Sequence, residues 1–119
     1  MTLQDELLEI ERGFWTGDAE FYRRHADERC LTAFPGMAAV MSSEEIAGTV
    51  GDGPRWEEPD LDVKGLVTPT RDVAILSYET TATRGDGDPY HALVSSAYVR
   101  RDDGWKLAFH QQTPLGAEA

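Results

Sequence analysis

The sequence holds a single cysteine, Cys30, so no disulfide can form within the chain and a small oxidised scaffold is excluded. Lysine is almost absent. Lys64 and Lys106 join nine arginines to give 11 basic side chains against 22 acidic ones, a formal charge of −11. That balance argues against nucleic acid, because phosphate binding needs clustered cations. It argues equally against anionic membrane surfaces. No apolar run exceeds a handful of residues, Val73–Leu76 being typical, far short of a membrane span. The opening Met1-Thr2-Leu3-Gln4-Asp5-Glu6 lacks the basic and apolar regions of a signal peptide, so a cytoplasmic location is expected. Nucleophile-elbow and dinucleotide fingerprints are missing. Histidine is scarce: His25, His91 and His110 stand 66 and 19 residues apart with no i, i+4 pair, so neither a metal nor a cofactor is expected.

What is present describes an ordinary globular chain. Its 119 residues are 40% hydrophobic and 28% charged. That length suits one domain spanning 1–119, with an ordered core over about 2–114 and room for one enclosed pocket. The charge is uneven. Residues 1–62 carry 15 acids and 5 bases, whereas residues 63–119 carry 7 acids and 6 bases. The acidic half reads as solvated helix surface.

Leu3, Leu7, Ile10 and Phe14 recur at helical spacing behind a Thr2 cap. Thr16-Gly17-Asp18 ends that helix and caps a second, in which Phe21, Tyr22, His25 and Ala26 share a face. Cys30–Phe34 and Met37–Met41 read as short strands about the Pro35-Gly36 turn. Ser42-Ser43-Glu44-Glu45 is a capping box that opens a third helix, which Gly51-Asp52-Gly53-Pro54 should end. Beyond Trp56 the period is two: strands are predicted over 60–68, Val73–Arg84, Pro89–Arg101 and Trp105–Thr113, the last five residues being frayed. Three helices followed by an antiparallel meander make an α+β domain.

The order of these elements, with Gly17-Asp18, Cys30–Phe34 before Pro35-Gly36, Ser43-Glu44-Glu45-Ile46, Asp72-Val73-Ala74 and the closing Tyr98-Val99-Arg100-Arg101-Asp102-Asp103-Gly104-Trp105-Lys106-Leu107, resembles the nuclear transport factor 2-like superfamily. That superfamily includes ketosteroid isomerase and SnoaL-like cyclases. The likeness is greatest to its small bacterial members of unknown function, particularly where the last strand ends at His110-Gln111-Gln112-Thr113-Pro114. It implies a cone-shaped barrel of strongly curved, mostly antiparallel sheet wrapped around three helices from the N-terminal half, a pocket between them, and a homodimer. It does not imply one chemistry. The isomerase's general-base Asp falls at Phe34, its oxyanion-hole Tyr at Ile10 and its protonated Asp near Ser96, so steroid isomerisation is not expected.

Closing the Gly85–Asp88 hairpin with Arg84 opposite Pro89 sets Ser77 against Ser96 and Glu79 against Val94. One sheet face then carries Ser77, Glu79, Ser96, Tyr98, Phe109, Gln111 and Thr113, and the resemblance turns that face toward the pocket. The other carries His91, His110 and Gln112 and is free to pair subunits; a single bulge would reverse part of the assignment. Glu79 is the leading acid–base candidate, since a carboxyl in an apolar pocket has a raised pKa; paired with Arg100 or Arg12 at the rim it would be structural. His25 beside Tyr22 is the second. Trp15, Tyr22, Thr32, Phe34 and Trp56 complete the expected lining with Ser77, Ser96, Tyr98, Phe109, Gln111 and Thr113. The expected ligand is a small apolar molecule. Three readings stay open: a cofactor-independent isomerase, cyclase or dehydratase; a homodimeric pocket protein without turnover; and an interaction domain.

Overall fold

A computed structural model describes residues 1–50 and 55–115. The stretch 51–54, expected to end the third helix, and the tail from 116 lie outside the described residues. That helix already stops at Ala47, where the Gly48 N–H caps it by donating to the Glu44 carbonyl. Helix α1 spans Leu3–Thr16, and its Thr2 cap and Asp5 exchange side-chain and backbone bonds as a capping box. Its buried stripe is Leu7, Glu11, Phe14 and Trp15, one position round from the expected one, with Leu3 and Ile10 half-buried. Helix α2, Ala19–His25, is capped by Asp18 and packs Phe21 across α1 at Gly13. A β-carbon on Gly13 would sit 2.0 Å from the Phe21 ring, so only glycine fits there. Ala26, expected on α2, already begins strand β1, Ala26–Phe34.

Strand β2, Met37–Met41, follows a hairpin in which Gly36 takes a φ of +85°, a left-handed value natural to glycine. Helix α3, Ser43–Ala47, opens on the expected Ser42/Glu45 capping box. Strands β3 (Glu57–Thr70), β4 (Val73–Thr83), β5 (Tyr90–Arg101) and β6 (Gly104–Pro114) complete one open six-stranded sheet, ordered β2-β1-β6-β5-β4-β3. Every pairing is antiparallel except β1 with β6. The expected α+β architecture of a curved, mostly antiparallel sheet with its helices in the N-terminal half is therefore present, although the sheet does not close into a barrel.

The register corrects the expected sheet faces. In the β4–β5 hairpin Ser77 pairs with Ser95, and Glu79 with Leu93, one place from the expectation. Between β5 and β6 the expected pairing holds from Arg101–Gly104 to Tyr98–Leu107 and then shifts, so that Ala97 faces Phe109 and Ser96 faces His110. Ala108 is the extra residue of a bulge, and every side chain beyond it changes face. The core side therefore holds Leu76, Tyr78, Val94, Ser96, Tyr98 and Leu107, all buried, with His110 and Gln112 continuing that side. Glu79, Ser77, Phe109, Gln111 and Thr113 lie on the opposite side.

Candidate functional site

Between the inner sheet face and the helices lies a cavity of about 310 Å³. Phe14 and Trp15 come from α1, Tyr22 from α2, Thr32 and Phe34 from β1, Met37 and Met41 from β2, and Ile46 and Thr49 from α3 and its end. Trp56, Leu107, His110 and Gln112 close it. Five of the residues predicted to line a pocket therefore meet there: Trp15, Tyr22, Thr32, Phe34 and Trp56.

The aromatic walls are braced edge to face. Phe14 stands 5.0 Å from Tyr22, and Trp15 stands 5.6 Å from Trp56. Tyr22 donates its hydroxyl to the Phe14 carbonyl and accepts from Arg55 Nη2 at 2.8 Å. Arg55 also donates Nε to the Gly17 carbonyl at 2.7 Å and Nη2 to the Phe14 carbonyl at 2.8 Å, holding the end of α1 to the start of α2. Thr32 Oγ1 donates to the Ala39 carbonyl at 3.3 Å.

The polar corner of the cavity is a hydrogen-bonded chain. Tyr90 donates to Gln112 Oε1 at 2.9 Å, Gln112 Nε2 lies 3.0 Å from His110 Nε2, and His110 Nδ1 lies 2.8 Å from Ser96 Oγ. With the Gln112 amide donating, His110 accepts at Nε2 and carries its proton on Nδ1. Burial pushes the His110 pKa below the usual imidazole value, while the Glu11 charge pulls the other way. Burial dominates, so the ring is neutral near pH 7, with its single acceptor nitrogen, Nε2, held by the Gln112 amide.

Glu11 sits behind this lining. It is fully buried, accepts from the Tyr78 hydroxyl at 2.5 Å on Oε1 and from the Tyr98 hydroxyl on Oε2. Trp15 Nε1 in turn donates to the Tyr78 hydroxyl at 2.8 Å. Both phenols are pushed well above the usual tyrosine pKa, by burial first and the adjoining carboxylate next.

The other sequence-predicted residues lie elsewhere. Tyr98 and Ser96 are buried on the inner side, reaching the cavity only through Glu11's network and His110 respectively. Glu79 is on the outer side, its carboxylate 2.5 Å from His91 Nε2 and 3.8 Å from Lys64 Nζ rather than paired with Arg100 or Arg12. Ser77 bonds Ser95 at 2.7 Å on that same side, and Gln111 bonds Thr113. His25 stacks on Phe21 at 4.2 Å, outside the cavity lining. Its pKa is lowered by burial and by Lys106 and Arg24. Cys30 is buried and its thiol is pushed up to about 12, chiefly by burial, which makes it inert.

The chain has the nuclear transport factor 2-like fold. Solved structures that superpose on it include a nuclear transport factor 2-like protein of unknown function from Prochlorococcus marinus, 18% identical, covering 98% of this chain and 96% of that one with a TM-score of 0.76. A ketosteroid isomerase-like protein from Erwinia carotovora is 18% identical over 96% of this chain and 94% of its own, also with a TM-score of 0.76. A third, of unknown function from Shewanella oneidensis, is 14% identical over 93% and 98% with a TM-score of 0.69. No protein-family model and no curated protein sequence matches the chain. At these identities the likeness is one of fold, and the chemistry rests on the residues here.

Within this fold, the informative groups are ones the sequence assigned to the other sheet face or did not single out. His110 and Gln112 reach the cavity only because of the bulge at Ala108. Glu11 carries a signal of its own. It lies four residues after Leu7 and before Trp15, on the apolar stripe of α1, where an acid needs a partner.

Proposed function

We propose that this chain is a small-molecule pocket protein that encloses a compact, largely apolar molecule between its helices and sheet. The supporting observation is the cavity itself: about 310 Å³, walled mainly by aromatic and aliphatic side chains, with one polar corner at His110 and Gln112. That is the composition of a binding site, in which apolar area supplies affinity and a few polar atoms fix orientation. Where turnover occurs, His110 is the group placed to move a proton, as a neutral imidazole positioned by Ser96 and Gln112. Glu79 and His25 are not, since neither lines the cavity. For isomerase, cyclase or dehydratase chemistry without a cofactor, Gln112 must release His110 Nε2 so that this nitrogen can take the proton.

The outer sheet face suits a second copy of the chain. It presents Leu31, Ile75, Leu93, Val40 and Val67 as exposed apolar side chains in one continuous sheet. The pocket reading is tested by calorimetric titration of 2-naphthalenemethanol, a compact apolar alcohol, into the native chain and into Ile46→Trp. Binding to the native chain that disappears when the larger ring fills the cavity supports the reading. Absent binding, or equal binding to both proteins, overturns it.

A further inference from the structure

Tyr22, part of the aromatic wall of the cavity, carries a hydroxyl with more hydrogen bonds than its neighbours need. It donates to the Phe14 carbonyl and accepts from Arg55 Nη2 at 2.8 Å. Arg55 Nη2 donates to that same carbonyl, also at 2.8 Å, so Phe14 has two donors where one satisfies it. The Tyr22 proton can therefore turn to another acceptor without orphaning a buried group. Its oxygen keeps the bond from Arg55, which polarises the O–H and makes it a stronger donor. Arg55 is a permanent cation, and none of the ion pairs among the described residues involves it. Its guanidinium carbon lies 5.6 Å from the centre of the Tyr22 ring, and its Nε bond to the Gly17 carbonyl fixes it across the corner between α1 and α2. At the Tyr22 hydroxyl it acts more strongly than Glu11. Burial raises the Tyr22 pKa, and the charge and hydrogen bond of Arg55, which oppose that rise, each outweigh the Glu11 charge that adds to it.

We propose that Tyr22 is a specificity-determining donor of this cavity, reading a carboxylate on an otherwise apolar ligand, and that Arg55 is the positioning residue that holds a positive charge behind its hydroxyl. The inference rests on the pocket reading and deepens it by naming the ligand class. An entering carboxylate takes the Tyr22 O–H in a charge-assisted bond, with the guanidinium 2.8 Å behind the phenolic oxygen. A carboxamide of the same shape accepts the same hydrogen bond but gains little from the cation. The chain's formal charge of −11 repels anions at long range, so a preference for the carboxylate has to arise within the site.

Two ligands of one shape test this by calorimetry: 2-naphthoate, ionised near pH 7, and 2-naphthalenecarboxamide, which matches it in shape but is uncharged. Naphthoate is expected to bind the native chain about tenfold more tightly than the amide. Tyr22→Phe keeps the ring and leaves the Phe14 carbonyl its Arg55 donor, and in it that ratio should fall several-fold. In Arg55→Gln, where Tyr22 still donates to Phe14, the ratio should fall toward unity. If Arg55 merely ties down the carbonyls at the end of α1, its loss weakens both ligands together and leaves the ratio where it was. Should Arg55→Gln fail to fold, the native ratio and Tyr22→Phe still decide. Naphthoate binding no more tightly than the amide, or a ratio unchanged in either folded variant, would overturn the assignment. Only the roles of Tyr22 and Arg55 fall if both ligands bind alike; the pocket reading falls with them if neither binds.

Discussion

Replacing Tyr98 by Phe tests the buried network most directly. The substitution removes one oxygen from a fully enclosed site and leaves Glu11 Oε2 without a donor. A hydrogen bond to a charged buried group is worth about 1.5–3 kcal/mol, and the orphaned oxygen has no water to replace it. For a chain of 119 residues the unfolding entropy is roughly 0.25 kcal/mol/K, so the melting temperature should fall by about 6–12 °C. Tyr78→Phe should be worse. It removes the donor to Oε1 and also the acceptor of the Trp15 indole, adding about 1–3 kcal/mol for a second orphan. The triple change Glu11→Leu with Tyr78→Phe and Tyr98→Phe should recover much of the loss. It withdraws the charge with its partners, and exchanging a buried ionic group for apolar side chains is often neutral or favourable. Urea unfolding followed by far-ultraviolet circular dichroism measures all three. A Tyr98→Phe protein within about 0.5 kcal/mol of the native one, below the low end of that range, would refute the reasoning. So would a triple variant less stable than Tyr78→Phe.

Other expectations follow from single groups. His110 has a folded-state pKa below its unfolded value near 6.5, so below about pH 6.5 the unfolded chain takes up a proton that the folded chain refuses. Stability should therefore be retained above that pH and lost as pH falls toward the folded pKa, with a shallower loss in His110→Gln; parallel urea curves at pH 7.5 and 5.5 for both proteins check it. Among the described residues Thr80 Oγ1 is the buried side-chain oxygen without a hydrogen-bond partner, so the near-isosteric Thr80→Val should raise stability by about 1 kcal/mol in the same assay. Leu93→Lys, on the outer sheet face, should convert a dimer to a monomer by sedimentation velocity while leaving ligand titrations unchanged; a native chain that sediments as a monomer would remove the dimer proposal.

Much of the architecture was legible because it depends on local chemistry. Thr2 with Asp5 and Ser42 with Glu45 are capping boxes that mark helix starts wherever the chain later goes. Pro35-Gly36 and the aspartate-glycine hairpins punctuate strands for reasons of backbone conformation alone. The boundary after His25 was misplaced because Ala26 continues the apolar face of α2 while its backbone has already turned extended. Strand β1 also begins earlier than Cys30, where its second residue, Asp27, is held by two 3.0 Å bonds from Arg101, a partner 74 residues away. No local pattern reports such a pair.

The site failed to read out for a sharper reason. Both sheet faces mix apolar and polar residues, so alternation alone could not say which was inside. One extra residue in β6, at Ala108, then exchanged the groups that chemistry would use, turning Gln111 and Thr113 outward and His110 and Gln112 inward. The one-place shift in the β4–β5 hairpin likewise paired Ser77 with Ser95 and left Glu79 against His91 on the outer face. A carboxylate needs donors wherever it is buried, and that requirement does not depend on the strand register being known. Glu11 between Leu7 and Trp15 already demanded donors from across the core, and tyrosines are the residues that bury a large ring while keeping a hydroxyl to give. Tyr78 and Tyr98 share parity with Ala74, Leu76, Ala82, Ala92 and Val94, all of them buried. Requiring both phenols to reach one helix-borne acid would have put Tyr78 on the same inner face as Tyr98 and Ser96, and so placed Glu79 outside.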